Sequence, residues 1–178
     1  MRRLNRRQAL SVLTAMPFVL RRRMPSPPAP PAALSIPDLG LHDAPIVLLP
    51  ILDGAWDEAR LGAREVGLLQ TTGRWPGDAL AMVLAGHVTL EGDIRGPFYG
   101  LGALRPGAPV WLKTQDGRAW VYRVVGRRLL RPDDVKAIYR RDDRRLFLLT
   151  CAAWDIRRGR YVRRLLLEAE LSDALRPG

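Results

Sequence analysis

Two runs of apolar and polar residues, PVWLKT (Pro109 to Thr114) and RAWVYRVV (Arg118 to Val125), are joined by Gln115-Asp116-Gly117. Asp-Gly between two such runs is a strong short-range signal for an antiparallel hairpin. The turn needs positive φ, which glycine adopts freely and aspartate tolerates. Other strand-like pieces follow at similar spacing. LSIPDLGLHDAPIVLLPI, from Leu34, is broken by Pro37, Gly40 and Pro45 into short strands. ALAMVLAGHV follows the turn GRWPGD, and RRLFLLTC precedes the turn DIRRGR. YVRRLLLEAEL reads as the last strand. AWDEARLGAREVGLL is helix-compatible in part, but its two glycines keep any helix short. RRLLRPDDVKAIYRRDD reads as a loop with one helical turn after Pro132. Strands at this spacing with little helix predict a mainly β fold, a single closed or nearly closed barrel with short helices.

The chain has 178 residues, room for one domain with a real core. Its single cysteine excludes an internal disulfide and a cysteine-cluster metal site. Two histidines, His42 and His87, speak against a histidine-rich metal site. No cofactor is expected.

The formal net charge of +11 suggests a nucleic-acid binder until its distribution is read. Seven arginines lie in the first 23 positions, which hold no acid, so residues 24–178 carry a net of only +4. A basic barrel that binds nucleic acid through Trp120, Tyr122 and Arg123 is the alternative from a different functional class. The small charge of the body argues against it, and no nucleic-acid partner is expected.

Residues 1–23 place two arginine clusters around an apolar run, Ala9 to Leu20. Twelve helical residues span about 18 Å, short of the roughly 30 Å of a bilayer core. The order of charge and apolar run is that of an export signal or a short membrane anchor, and NRRQAL loosely resembles a twin-arginine signal. Residues 24–33, MPSPPAPPAA, read as an extended proline-rich spacer. Residues 34–178 are the expected catalytic domain.

Cys151 ends the apolar run LFLLTC, and His87 ends VLAG in the same way. Taken alone, each has a plain structural reading, a small buried thiol and a hydrogen-bonded imidazole. Together they form a possible nucleophile and acid/base pair. Arg163 and Arg164 open the last strand, and alternation sends them to opposite faces. A fixed guanidinium can stabilise an oxyanion, but the strand pattern does not choose between the two.

LFLLTC, with LAGH upstream and YVRRLLL downstream, resembles the sortase family of cysteine transpeptidases. The likeness extends to IPDLGLHDAPIV, to WPG before LAGHV, and to GPFYGLGALRPGAPVWL, covering about residues 34–171. It implies a barrel of about eight strands. Cys151 would be the nucleophile and His87 the acid/base. The family arginine would fall on Arg164, three residues after an aromatic and directly before an aliphatic run, with Arg163 as the fallback. Thr150 would line the oxyanion site and bind substrate.

The implied reaction cleaves a C-terminal sorting signal, Leu-Pro-x-Thr-Gly or a relative, through a thioester. The partners would be surface proteins bearing that signal and an amine acceptor from peptidoglycan or a pilin. The enzyme would be a monomer at the cell envelope, tethered to the outer face of the membrane. The spacer lacks the Asp-Pro-aromatic lid of pilin-polymerising sortases, so the chain resembles the compact class F group, with class E second. Another cell-wall cysteine peptidase is the alternative within cysteine chemistry. Papain-like hydrolases place Cys before His, and L,D-transpeptidases carry a second His just before the Cys; neither pattern occurs here.

At its reference pKa a thiol is only about 3% ionised at pH 7. A nearby arginine favours the thiolate and disfavours an imidazolium. The active pair is then either a minority species or one in which the cysteine separates His87 from the guanidinium.

Overall fold

The computed structural model describes residues 29–175, and the expected signal or anchor over residues 1–23 lies outside them. Ten strands occur in chain order: β1 Pro31–Ile36, β2 Leu41–Leu49, β3 Ile51–Leu52, β4 Ala55–Trp56, β5 Val66–Leu69, β6 Met82–Ala85, β7 Pro109–Thr114, β8 Ala119–Leu130, β9 Arg145–Asp155 and β10 Arg160–Leu175. Eight close into a barrel in the order β1-β2-β5-β6-β9-β10-β8-β7, with β7 pairing back onto β1. Two neighbours, β2–β5 and β6–β9, are parallel and the others antiparallel. The expected closed barrel of about eight strands is present. The expected short helices are single 3-10 turns of three or four residues.

Alternation divides the apolar side chains into two layers. Leu34, Leu84, Tyr122, Leu148 and Leu167 fill the barrel. Leu69, Val83, Phe147 and Leu166 form a second cluster on the outer face of β5, β6, β9 and β10, capped by Leu61, Leu130 and Ile138. A sheet covered on both faces explains why β5 is buried at all four positions.

Several local expectations change. AWDEARLGAREVGLL contains no α-helix; it supplies β4, one 3-10 turn at Glu58–Arg60, and β5. Val66 to Leu69 pair with β2, and Gly67 and Leu68 also with β6, and that burial outweighs local propensity. Arg127 to Leu130, expected in a loop, continue β8 against Leu167 to Arg164. Leu130 is drawn into the outer cluster there. β1 begins at Pro31, within the stretch read as spacer, and Pro31 and Ala33 pair with Thr114 and Lys113. The two-residue hairpin β3–β4 turns on Asp53 and Gly54, both with positive φ (50° and 80°); at Asp116-Gly117 only the glycine takes positive φ, 82°.

The nucleic-acid surface does not form. Tyr122 is 1% exposed inside the barrel and Trp120 packs against the same cluster, whereas Arg123 points outward. No shared stacking face joins the three.

The chain after β6 is pinned closely against itself. Gly96 N–H donates to the Val88 carbonyl at 3.0 Å, and Phe98 N–H to the His87 carbonyl at 3.0 Å. A Cβ on Gly96 would lie 2.2 Å from the His87 carbonyl oxygen, with no flexible side chain to yield. Gly96→Ala is therefore expected to lower the urea midpoint, costing about 1–3 kcal/mol as an overpacking change. Gly126, whose Cβ would meet nothing within 4 Å, is the control. Gly126→Ala should change stability by no more than about 1 kcal/mol. Equal midpoints for the two variants would contradict this account of the His87 backbone.

Candidate active site

β9 carries Cys151 between two neighbours. On one side β6 runs parallel, with Ala85 level with Leu149. Gly86 N–H donates to the Leu149 carbonyl at 3.1 Å, which brings His87 beside Cys151 as the chain leaves the sheet. On the other side β10 runs antiparallel, with Arg164 directly opposite Cys151 and Arg163 opposite Ala152. Directly opposite residues of an antiparallel pair share a face. Arg164 therefore lies on the outer face with Cys151. Arg163 falls on the other face, with Ala152 and Leu165.

His87, Thr150, Cys151 and Arg164 line one small cleft of about 30 Å³, with Glu58, Leu61, Ala85, Gly86 and Leu149 completing its walls. The strand order sets the cysteine strand between the histidine and the arginine. At about 4.8 Å per strand, the imidazole and the guanidinium are rooted about 10 Å apart. This is the second of the two charge arrangements considered from the sequence, and it lessens the repulsion between an imidazolium and the guanidinium.

Thr150 faces inward and is 4% exposed. Its hydroxyl donates to the Gly86 carbonyl at 2.6 Å. The side chain ties the cysteine strand to the residue before His87, and its one proton is used in doing so. Gly86 has a packing role: a Cβ there would sit 2.8 Å from the Phe98 ring. The absent side chain leaves room for that ring.

Burial is the largest influence on Cys151 and pushes its thiol pKa up. Arg164 opposes that shift, and Glu58 adds to it. The lowering expected from arginine is present but smaller than the desolvation it works against.

A larger groove of about 320 Å³ adjoins the cleft, and Glu58, Leu149 and Arg164 line both. One wall is the β3–β4 hairpin, with Ile51 and Trp56; the other is the β8–β9 connection, with Pro132, Ile138 and Tyr139. That second wall is fastened at two points. Tyr139 and Thr71 hydroxyls are hydrogen-bonded at 2.7 Å. Glu168 pairs with Arg128 at 2.7 Å and with Arg140 at 3.6 Å. The groove and Glu58 were missed in the sequence. The hairpin was signalled by Asp53-Gly54, but Glu58 is an acid on a one-turn segment, brought to the cleft by packing alone.

Comparison with known proteins gives the same picture. A family model described as a sortase domain matches residues 34–172. Sortase C from Clostridium perfringens SM101 superposes with a TM-score of 0.58 at 23% identity, over 79% of this chain and 68% of that one. Sortase C of Streptococcus pneumoniae gives 0.65 at 19% identity, over 84% and 72%. Sortase A from Corynebacterium diphtheriae gives 0.63 at 23% identity, over 85% and 64%. No curated protein matches the chain. The structural likenesses concern the fold, and the family model covers most of the sequence, the cysteine strand included. The chain belongs to the sortase family, whose members are cysteine transpeptidases.

Proposed function

We propose that Cys151 is the nucleophile of this transpeptidase, His87 its acid/base and Arg164 its oxyanion-stabilising group. The proposed substrate is a C-terminal signal of the Leu-Pro-x-Thr-Gly kind, transferred to an amine at the cell surface. The observation that carries the reading is the register pair Cys151–Arg164, with His87 on the opposite flank of the same cleft.

The reaction follows from those positions. The thiolate attacks the carbonyl carbon of the scissile peptide bond, forming a C–S bond and an oxyanion. Arg164 supplies a fixed positive charge where that oxyanion develops. Collapse breaks the C–N bond, and the leaving amine takes a proton from His87. A thioester remains on Cys151. The acceptor amine then gives a proton to His87 and attacks the thioester carbonyl. The new C–N bond forms, the C–S bond breaks and the thiolate returns. The groove beside the cleft supports a peptide substrate, since its apolar walls suit the leucine and proline that precede the scissile bond.

Within the family, the class reading is the compact class F group, with class E second. It rests on the sequence of the spacer, which lacks the Asp-Pro-aromatic lid. The neighbours of known structure are class A and class C sortases at 19–23% identity, a level that speaks to fold and not to class. The acceptor in this reading is a peptidoglycan or pilin amine.

Sortases work at the cell envelope. Residues 1–23 are proposed to carry this domain across the membrane and tether it. With β1 starting at Pro31, the seven residues 24–30 would reach about 22 Å if extended as polyproline II. Full-length protein should fractionate with membranes and be open to protease added outside the cell. Recovery in the cytosol alone would overturn the tether.

The two arginines give the sharpest kinetic test. Arg164→Ala should lower kcat by about 10²–10³, the usual effect of losing an oxyanion donor. Arg163→Ala, on the other face, should change it by less than about threefold. The reverse order would refute the assignment.

The thiol has a pH signature. Because burial raises the Cys151 pKa, alkylation by iodoacetamide should climb with pH to a midpoint above that of an exposed thiol. Arg164 lowers the pKa, so Arg164→Ala should move the midpoint higher still. A downward shift would mean that the guanidinium does not act on the thiol.

A further inference from the structure

Glu58 works against the chemistry of the cleft it lines. The nucleophile beside it must become an anion, and a carboxylate disfavours that form. Glu58 is exposed and, among the described residues, forms no ion pair; the adjacent Asp57 is the one that pairs with Arg60, at 4.0 Å. Arg164, on the other wall, forms no ion pair among the described residues either; its guanidinium donates only to the Arg163 carbonyl, at 3.4 Å. The titratable and charged groups around Cys151 are thus His87 from the segment after β6, Arg164 from β10 and Glu58 from the turn after β4.

The position of Glu58 is specific. It is one of three residues, with Leu149 and Arg164, that line both the nucleophile cleft and the apolar groove. A peptide with apolar residues in the groove and its scissile carbonyl at Cys151 would cross the junction lined by Glu58, Leu149 and Arg164, with the residue before the scissile one set there. Asp134 lines the same groove and also forms no ion pair among the described residues, since Arg131 pairs with Asp133 at 3.2 Å. The chain has 29 basic and 18 acidic side chains, so partners for a carboxylate are plentiful elsewhere on it. An exposed carboxylate with no ion-pair partner among the described residues, set where groove and cleft join, is open to a cation on the substrate.

We propose that Glu58 is a specificity-determining residue that selects a Lys or Arg in the sorting signal at the position immediately before the scissile residue. The proposal rests on the transpeptidase reading above and refines its substrate. The cationic side chain pairs with Glu58 across the junction of groove and cleft. The same pairing offsets the carboxylate that opposes the Cys151 thiolate, so recognition and nucleophile activation act together. No covalent change occurs at Glu58.

The test is a peptide library, Leu-x-x-Thr-Gly with both central positions randomised, cleaved by the full chain in detergent and read by mass spectrometry. Wild type should enrich Lys and Arg over Asp and Glu by about tenfold at the position before threonine, the scale of a partly exposed ion pair gained in one case and a repulsion in the other. Glu58→Gln should flatten that preference to about twofold or less, and Glu58→Lys should invert it. Cleavage without charge preference in the wild type would overturn this inference and leave the transpeptidase reading standing. A preference that survives in both variants would assign the selection to another residue. Cleavage of no library member would overturn both the inference and the reading it rests on.

Discussion

Ten register pairs hold β9 against β10, and the site depends on that ladder. Leu146, Leu148 and Thr150 lie opposite Ala169, Leu167 and Leu165 on the face that fills the barrel. Phe147, Leu149 and Cys151 lie opposite Glu168, Leu166 and Arg164 on the outer face. A slip of one residue would turn every side chain of a strand to the wrong face. It would drive Arg164 toward the barrel interior and take Leu165 and Leu167 out of it. The hydrophobic effect that fills the barrel thus fixes which arginine meets the cysteine. Burying Leu165, Leu167 and Ala169 is worth several kcal/mol at about 25 cal/mol per Å² of apolar surface, and the meeting of Cys151 with Arg164 follows from it.

The same packing sets a cost on the chemistry. The outer cluster that seats β9 also removes water from Cys151, and desolvation disfavours the thiolate. Arg164 restores part of what burial removes. His87 is attached differently. His87 leaves the sheet after Gly86, whose carbonyl receives the Thr150 hydroxyl, and its own carbonyl is held by Phe98 N–H. Imidazole and guanidinium thus reach the thiol from opposite flanks, each on backbone fixed by a separate set of hydrogen bonds.

Much of this was legible in the sequence, and the exceptions share a cause. The hairpin at Asp116-Gly117 is a local pattern and stands where the sequence indicates. The apolar runs before His87 and Cys151 are strands too, but β6 stops at Ala85, two residues short of His87, and β9 runs on past Cys151 to Asp155, held there by pairing with β10. Asp53-Gly54 carries the same local chemistry, but its flanking strands are two residues each, too short to show a period. β5 was hidden because a strand buried on both faces shows no alternation, and its context of glycine and charge looks helical. The choice between Arg163 and Arg164 needs the strand opposite, which no single-strand pattern contains; the family likeness pointed to Arg164, and the register puts that residue on the cysteine face. Glu58 had no signal at all, because only the packing of the segment after β4 brings it to the cleft.

The central claim is that Cys151 forms a covalent link to the peptide. Intact-protein mass spectrometry, after brief mixing with a cleavable sorting peptide and acid quench, tests it most directly. The account predicts an added mass equal to the acyl fragment, lost on hydroxylamine treatment and mapped to the peptide that contains Cys151. Peptide cleavage with no such adduct, or an adduct that persists in Cys151→Ala, would contradict it.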